Sequence, residues 1–220
     1  MEHSPPIENF PPKANAALIV AHPDDEILWC GGWVLTHPGW QWRIVTLCRG
    51  GDPDRAPKFR KVLEQLGAVG AMANLNDAPD QIPLNPEIVT ETVASLLPDK
   101  HFDLVLTHGP HGEYTRHRRH EECCRAVVRL WESGRIKTDH LWLFAYDDGG
   151  RKHLPRVSAG AQRHHLTEPT WREKYRLITE VYGFTRESWE AHATPREEGF
   201  RCFQSPDSAI VFLKSNIPPP

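Results

Sequence analysis

The stretch AALIVAHPDDE, residues 16–26 of this 220-residue chain, carries the clearest indication of its fold. Its first six residues are continuously apolar, which is typical of a β-strand buried on both faces of a parallel sheet. Its last five residues, HPDDE, place an imidazole and three carboxylates directly after that strand. Because ligands of open α/β sheets bind at the carboxyl ends of the strands, the same stretch predicts where a site lies.

Further apolar runs alternate with helical patterns along the chain. Strands are expected over 41–47, 103–107 and 141–146, and helices over 25–37, 57–73, 87–97 and 117–133. This alternation predicts an α/β fold of the Rossmann-like, doubly wound type, with a mostly parallel sheet and helices on both faces. The last third is less regular: helices are expected over 169–182 and 187–193, and short strands over 200–203 and 209–213.

The composition is that of one compact globular domain. Hydrophobic residues make up 39% and charged residues 25% of the chain, and the formal net charge is -3. This charge gives no reason to expect a nucleic-acid partner, and no stretch reaches the roughly 18 apolar residues of a membrane span. We predict an N-terminal arm over 1–15, a single catalytic domain over 16–215 and a tail over 216–220.

The cysteines and the N-terminus favour a cytoplasmic protein. The five cysteines are scattered and include no CxxC pair, so they do not form a disulfide framework. The first residues, MEHSPP, lack the basic and apolar regions of a signal peptide. The tryptophans at 29, 33, 40 and 42 are expected to pack in the core or at a subunit interface.

The HPDDE segment concentrates chemistry in five residues. Pro23 keeps His22 out of helical geometry, so the side chains of His22 and Asp25 can point the same way. Neighbouring carboxylates repel one another unless a cation lies between them. An alternative remains open here, in which Asp24, Asp25 and Glu26 only cap and charge the start of a helix.

A second polar segment, THGPHGEYTRHRRH, spans residues 107–120 and follows the strand predicted over 103–107. His117 and His120 are three residues apart at a helix start, so they face roughly the same side. Two histidines and one carboxylate with an open position form a common catalytic zinc set. His22, Asp25 and His120 fill this set and leave His117 beside the open position.

The motif AHPDDE after a buried strand, together with the paired histidines at 117–120, resembles the LmbE/PIG-L family. The resemblance covers residues 16–147. It implies a Rossmann-like fold and a zinc-dependent hydrolase that removes an N-acetyl group from an amino-sugar-type substrate. Zn²⁺ is the implied cofactor, although other divalent metals suit similar ligands.

The resemblance also implies roles for individual side chains. It makes His22, Asp25 and His120 the metal ligands. It makes Asp24 the general base that takes a proton from the attacking water. His117 is implied as the group that stabilises the oxyanion or acts as the acid.

Contacts to substrate are expected from Arg49, Asp80, Tyr114 and Arg116. Asp80 follows Pro79 at the place where the family tends to carry a Pro-Asp pair, although it could simply stabilise a turn. The arginines could recognise a phosphate or carboxylate on the substrate, or they could form a solvated rim. The chain departs from the family pattern at 119, where an arginine replaces the usual acidic or amide residue.

Other functions remain open at this stage. The substrate could be a larger amide conjugate rather than an acetylated sugar. A non-catalytic nucleotide-sugar-binding protein is a further alternative, but the RGGD loop at 49–52 lacks a GxGxxG or Walker pattern. A non-catalytic metal-binding protein is opposed by the presence of both Asp24 and His117. The expected partner is a small-molecule substrate, with no nucleic acid and no membrane span, and a homo-oligomer is left open.

Overall fold

A computed structural model describes residues 10–216 of the chain. The strands are β1 (Asn15–Val20), β2 (Gln41–Cys48), β3 (Val69–Leu75), β4 (His101–Phe102), β5 (Leu104–Thr107), β6 (Lys137–Thr138), β7 (Leu141–Phe144), β8 (Tyr146–Asp147), β9 (Arg156–Val157), β10 (Gln162–His165) and β11 (Glu197–Phe203). The helices are α1 (Asp25–Thr36), α2 (Arg55–Leu66), α3 (Pro86–Leu96), α4 (Arg118–Glu132), α5 (Glu168–Arg176), α6 (Trp189–Ala193) and α7 (Pro206–Ser215). A π-helical turn, Leu177–Val181, continues α5.

Seven strands form the central sheet in the order β10-β11-β7-β5-β1-β2-β3. The pairs from β7 to β3 are parallel, whereas β11 runs antiparallel to β7 and β10 antiparallel to β11. The chain builds outward from β1 to β3 and then crosses to β5, on the other side of β1. This topological switch point opens a crevice at the carboxyl ends of β1 and β5. The predicted Rossmann-like fold with a mostly parallel sheet is confirmed.

The core lies on both faces of the sheet, as the apolar run in β1 predicts. Ala16, Leu18 and Val20 belong to one buried cluster, and Ala17 and Ile19 belong to the other. The four tryptophans at 29, 33, 40 and 42 are all buried in the first cluster, so their predicted core packing is confirmed.

Two predicted elements are wrong in extent or type. The helix expected over 57–73 ends at Leu66, because Gly67 adopts a left-handed conformation (φ 62°) and residues 69–75 then pair with β2 as β3. The strand expected over 209–213 is part of α7 instead. Ser205 caps that helix by accepting a hydrogen bond from the Ser208 N–H, and such a cap outweighs a short apolar run.

The predicted termini lie partly outside the described residues: 1–9 of the arm and 217–220 of the tail are not among them. Phe10 packs its ring edge-on against Trp40 and Trp142, with centroids 5.3 and 5.4 Å apart. Within 10–216, no helix is long and apolar enough to cross a membrane.

The last third of the chain braces α1, the helix that begins at the HPDDE segment. Glu198 of β11 is fully buried and accepts hydrogen bonds from the backbone N–H groups of Gly32 and Trp33, each at 2.7 Å. Lys174 of α5 is also fully buried and donates to Glu198 at 2.7 Å. A Cβ on Gly32 would lie 2.2 Å from Leu166 Cδ2 and 3.0 Å from Glu198 Oε1, so a larger residue there would have to displace the Leu166 side chain.

We expect Lys174→Met to lower the free energy of unfolding by about 3–5 kcal/mol, because removing one partner leaves a buried charge on Glu198. Urea denaturation measures the change. Lys61→Met, which alters an exposed lysine of α2, is the matched control and should have little effect. A loss below about 1 kcal/mol for Lys174→Met would show that the pair is not a structural brace.

Candidate metal and catalytic site

Three side-chain atoms meet at the crevice between β1 and β5. His22 Nδ1 lies 3.1 Å from Asp25 Oδ2, and His120 Nε2 lies 3.3 Å from each of these two atoms. Zinc bonds nitrogen and oxygen at about 2.0–2.2 Å, which places tetrahedral ligands about 3.3 Å apart. The triangle of His22, Asp25 and His120 therefore fits a divalent metal without rearrangement of these side chains.

Local structure places each vertex of the triangle. His22 lies two residues after the end of β1, and Asp25 is the first residue of α1. Asp25 Oδ1 accepts a hydrogen bond from Trp29 Nε1 at 3.0 Å, one turn further along α1, which leaves Oδ2 for the triangle. His120 lies in the first turn of α4 and is fully buried.

Two carboxylates orient the two histidines. Asp77 Oδ1 lies 3.1 Å from His22 Nε2, and Glu113 Oε2 lies 2.5 Å from His120 Nδ1. Because a carboxylate holds the proton on the ring nitrogen it faces, the other nitrogen of each ring presents its lone pair to the triangle. Sequence reasoning missed both carboxylates.

Electrostatics keep these orienting carboxylates ionised. Burial alone would raise the pKa of Asp77, but the hydrogen bond and charge of His22, together with hydrogen bonds from Arg49 and Gln81, outweigh it and lower that pKa. Burial likewise opposes ionisation of Glu113, yet His108 and His120 lower its pKa to about 2.

His108 supports the site without completing the triangle. It is fully buried, and its Nε2 accepts the Ala21 backbone N–H at 2.9 Å, while its Nδ1 lies 2.8 Å from Glu113 Oε2. Asp25, His108 and His120 also bring ligand atoms within 4.8 Å of one another. Since the hydrogen bond from Ala21 uses the lone pair of Nε2, His108 holds the strand end and Glu113 in place.

Asp24 lies beside the triangle with an unusual backbone. Its φ is 129°, a conformation that L-residues other than glycine rarely adopt, and its side chain makes no helix-capping hydrogen bond. Its carboxylate instead accepts from Arg55 at 3.0 Å. Burial and the neighbouring Asp25 raise the pKa of Asp24 well above its usual value, against the opposing effect of Arg55. The helix-cap alternative for Asp24 is therefore not what this side chain does.

Two hydrogen bonds through the buried Glu26 side chain fix the Asp24 backbone. The Asp24 N–H donates to Glu26 Oε2 at 2.9 Å, and the Tyr182 hydroxyl bonds to Glu26 Oε1. Glu26 is fully buried and Tyr182 is 1% exposed. A tyrosine near the end of the chain thus helps to hold the residue after Pro23 in its strained conformation.

His117 lies next to the histidines of the triangle. Its ring centroid is 4.6 Å from that of His22 and 4.3 Å from that of His120. Its Nδ1 is buried and has no hydrogen-bond partner among residues 10–216. Burial together with the two neighbouring histidines lowers the pKa of His117 to about 2, so the ring is neutral in this arrangement.

An open cleft of about 200 Å³ gives access to this site. Its lining residues are His22, Pro23, Asp24, Asp25, Leu28, Arg49, Arg55, Asp77, Tyr114, His117, Trp189 and Glu190. Arg49 and Tyr114, two of the expected substrate contacts, line it. Trp189 comes from the last third of the chain and packs against Tyr114 with centroids 4.7 Å apart.

The other two expected substrate contacts do not reach the cleft. Asp80 is exposed on a turn, and Asp77, three residues earlier, takes the place beside the site. Arg116 does not line the cleft and forms a two-point ion pair with buried Glu121, at 2.5 and 2.9 Å. Both expectations rested on position in sequence, which cannot show which side chain of a loop turns inward.

Arg119, the residue at which the chain departs from the family pattern, connects two parts of the structure and does not contact the cleft. Arg119 is 2% exposed and donates to the backbone carbonyls of Asn76 and Ile82, at 2.6 and 2.9 Å. It thereby ties the first turn of α4 to the loop that carries Asp77. It pairs with Glu122 at 2.6 Å and does not line the cleft.

Fold and site together define an α/β protein with a histidine–carboxylate cluster, suited to a divalent metal, at the switch point of its sheet. The chain belongs to the PIG-L family: the family's sequence model, described as GlcNAc-PI de-N-acetylase, matches residues 17–131. A curated relative, an uncharacterized protein of Acanthamoeba polyphaga mimivirus, is 23% identical over 151 residues, or 61% of this chain. The match spans 63% of the length of that relative.

Several solved structures share the fold. An N,N'-diacetylchitobiose deacetylase from Pyrococcus horikoshii has a TM-score of 0.64 at 16% identity, covering 90% of this chain and 85% of that one. The zinc inhibited form of teicoplanin deacetylase Orf2 scores 0.61 at 13% identity, covering 87% and 99%. GalB, a 4-carboxy-2-hydroxymuconate hydratase from Pseudomonas putida, scores 0.60 at 14% identity, covering 86% and 95%. At these identities the likeness shows the fold alone.

Removing the carboxylate that faces His120 should weaken metal binding. We expect Glu113→Gln to lower metal affinity by about 10–100-fold, the usual effect of losing a group that orients a ligating histidine. Competition with a chelator of known affinity measures the change. Glu91→Gln, which alters an exposed surface ion pair, is the control. Unchanged affinity in Glu113→Gln would mean that His120 is not a ligand or needs no orienting group.

Proposed function

We propose that this chain is a metal-dependent N-deacetylase, a hydrolase that releases acetate from the N-acetyl group of an amino-sugar substrate. The observation that carries the proposal is the triangle of His22, Asp25 and His120 with Asp24 and His117 beside it, open to one cleft. Membership of the PIG-L family supports it, as do fold relatives that are described as deacetylases.

The metal ligands in this proposal are His22, Asp25 and His120. A divalent metal held there would act as a Lewis acid toward the amide carbonyl and would lower the pKa of a water molecule. Nitrogen and carboxylate donors in a tetrahedral spacing favour Zn²⁺, although other divalent ions accept the same donors. The zinc-inhibited state of one fold relative is a reason to titrate the metal rather than to add it in excess.

Asp24 is the general base in this proposal. Its carboxylate faces the cleft, and Arg55 fixes one of its oxygens from 3.0 Å. Asp24 takes a proton as water adds to the amide carbon. When the C–N bond breaks, that proton passes to the departing nitrogen, so that water and amide become acetate and a free amine.

His117 stabilises the carbonyl oxygen as negative charge develops on it. Its ring lines the cleft next to the triangle, and its buried Nδ1 has no partner among residues 10–216 that would compete for it. A donor placed in advance at the developing charge needs no reorganisation when the reaction occurs. Because burial and the neighbouring histidines lower the pKa of His117, its neutral ring serves as a hydrogen-bond donor, and the proton for the departing amine comes from Asp24.

The cleft favours a small, neutral substrate. Its volume of about 200 Å³ is below the roughly 300 Å³ at which pockets for drug-sized ligands begin, which favours an acetyl group over a larger acyl group. Its two arginines are already paired: Arg49 with Asp77 at 2.8 Å and Arg55 with Asp24 at 3.0 Å. Neither is therefore a spare cation for a phosphate or carboxylate.

A cytoplasmic location, the domain limits at 15 and 215, and a homo-oligomer stay predictions from the sequence. The location is supported by the cysteines, since all five are free thiols in the structure. Free buried thiols suit a reducing compartment.

We expect metal-loaded protein to release acetate from neutral N-acetylglucosamine derivatives at least as well as from anionic ones. Asp24→Asn should lower kcat by about 10²–10⁴-fold, the usual contribution of a general base. Asp54→Asn, an exposed aspartate nearby, is the matched control. Coupled detection of acetate measures the rate. Failure of every acetylated substrate at one bound metal per chain would reject N-deacetylation.

We expect Tyr182→Phe to lower kcat by about 10²-fold, because loss of its bond to Glu26 lets the Asp24 backbone move and small misplacements are costly. KM and metal affinity should change little, since Tyr182 touches neither the triangle nor the cleft. Tyr175→Phe, a half-buried tyrosine of α5, is the control. A change confined to thermal stability would assign Tyr182 a packing role alone.

A further inference from the structure

The Nε2 side of His22, opposite the Nδ1 atom of the triangle, lies near two further potential metal ligands, Cys48 and Asp77. The strands β1, β2 and β3 are neighbours in the parallel sheet. Each contributes one potential ligand at its carboxyl end: His22 follows β1, Cys48 is the last residue of β2, and Asp77 follows β3. An imidazole, a thiol and a carboxylate therefore converge where three successive strands end.

The distances within this set suit one ion. A ring nitrogen of His22, Cys48 Sγ and a carboxylate oxygen of Asp77 lie within 4.8 Å of one another. His22 Nε2 is 3.1 Å from Asp77 Oδ1, about the spacing of two ligands on zinc. Cys48 is fully buried and is a free thiol.

We propose that His22, Cys48 and Asp77 form a second, inhibitory site for a thiol-binding divalent cation such as Zn²⁺ or Cd²⁺. The inhibitory role rests on the proposed function of the first triangle, with which this site shares His22. A site with a cysteine ligand selects such ions over Mg²⁺, Ca²⁺ and Mn²⁺, which prefer oxygen donors.

Binding is an exchange of the ion for two protons. The cation takes the place of the hydrogen between His22 Nε2 and Asp77 Oδ1, and it forms a bond to Cys48 Sγ. The proton of the thiol and the proton of Nε2 pass to solvent, and no group is oxidised or reduced. His22 then bridges the two ions through Nδ1 and Nε2.

Occupancy of the second site should impair the first. Asp77 no longer accepts the hydrogen bond that orients His22, and a second positive charge lies across the same ring. Loss of such an orienting contact typically lowers metal affinity or activity by about 10–100-fold.

The second site should fill after the first. Arg49 lies 2.8 Å from Asp77 Oδ2, so a positive charge already neighbours the carboxylate that an ion must use. Gln81 Nε2 also donates to Asp77 Oδ1, at 3.1 Å, and must give way. Within residues 10–216, the first triangle has no such competing cation, apart from the histidines themselves.

The test is a metal titration of chelator-stripped protein. With Cd²⁺, ultraviolet thiolate-to-metal absorption should appear with the second equivalent. With Zn²⁺, acetate release should rise with the first equivalent and fall about tenfold with the second. Both second-equivalent signals should be absent in Cys48→Ala and in Cys48→Ser, and present in Cys30→Ala, which removes a buried thiol of α1.

Activities are compared as the ratio between one and two equivalents within each variant, so a change in basal rate does not matter. The proposal is overturned by thiolate absorption that survives in both Cys48 variants, or by an unchanged inhibition ratio in them. It is also overturned if the wild type shows no thiolate absorption at two equivalents. Thiolate absorption that depends on Cys48 in a protein that never releases acetate would support the second site and reject N-deacetylation.

Discussion

A concentration of buried acidic side chains at the carboxyl end of β1 is the constraint on which the rest of the site depends. Asp25 and Glu26 are almost fully buried, and Asp24 lines the cleft beside them. In a medium of low polarity, such neighbours repel strongly unless positive charge or hydrogen-bond donors surround each one. Each acidic group here has different stabilising partners: histidines contact Asp25, Arg55 contacts Asp24 and the Tyr182 hydroxyl contacts Glu26. In the proposed function, these different partners give three consecutive residues three roles: Asp25 as a ligand, Asp24 as the base and Glu26 as a support.

Further supports for this arrangement come from the part of the chain that the family model does not match. The matched region ends at residue 131. Beyond it, Tyr182 holds Glu26, while Lys174 and Glu198 hold the backbone of α1 at Gly32 and Trp33. Trp189 closes one wall of the cleft. The last third is therefore a brace for the first helix and a wall of the site, which explains why its own sequence shows no strong motif.

The parts of the site that sequence could predict are those with a local pattern. A buried strand followed by HPDDE, and two histidines three apart at a helix start, fix their side chains within a few residues. The structure therefore brings His22, Asp25 and His120 together as expected, and their role as metal ligands stays a prediction. Asp77 and Glu113 have no such pattern, because each is one carboxylate in a loop and is defined by a histidine far away in the chain. Asp80 fails for the same reason. The strand expected over 209–213 fails because a short apolar run fits either period, and only the Ser205 cap decides it.

The same fold is found in deacetylases and in a hydratase, so the argument for function has to rest on side chains. Asp24 is the most informative of them. Holding a non-glycine residue at φ 129° costs of order 1–3 kcal/mol, and a helix cap would not require it. Glu26, itself held by the Tyr182 hydroxyl, accepts the Asp24 N–H and offsets this strain. Arg55 then holds the Asp24 carboxylate at the cleft. Such strain is retained where the surrounding structure over-determines a geometry that function needs. Here it turns the Asp24 carboxylate toward the cleft, beside the triangle of His22, Asp25 and His120.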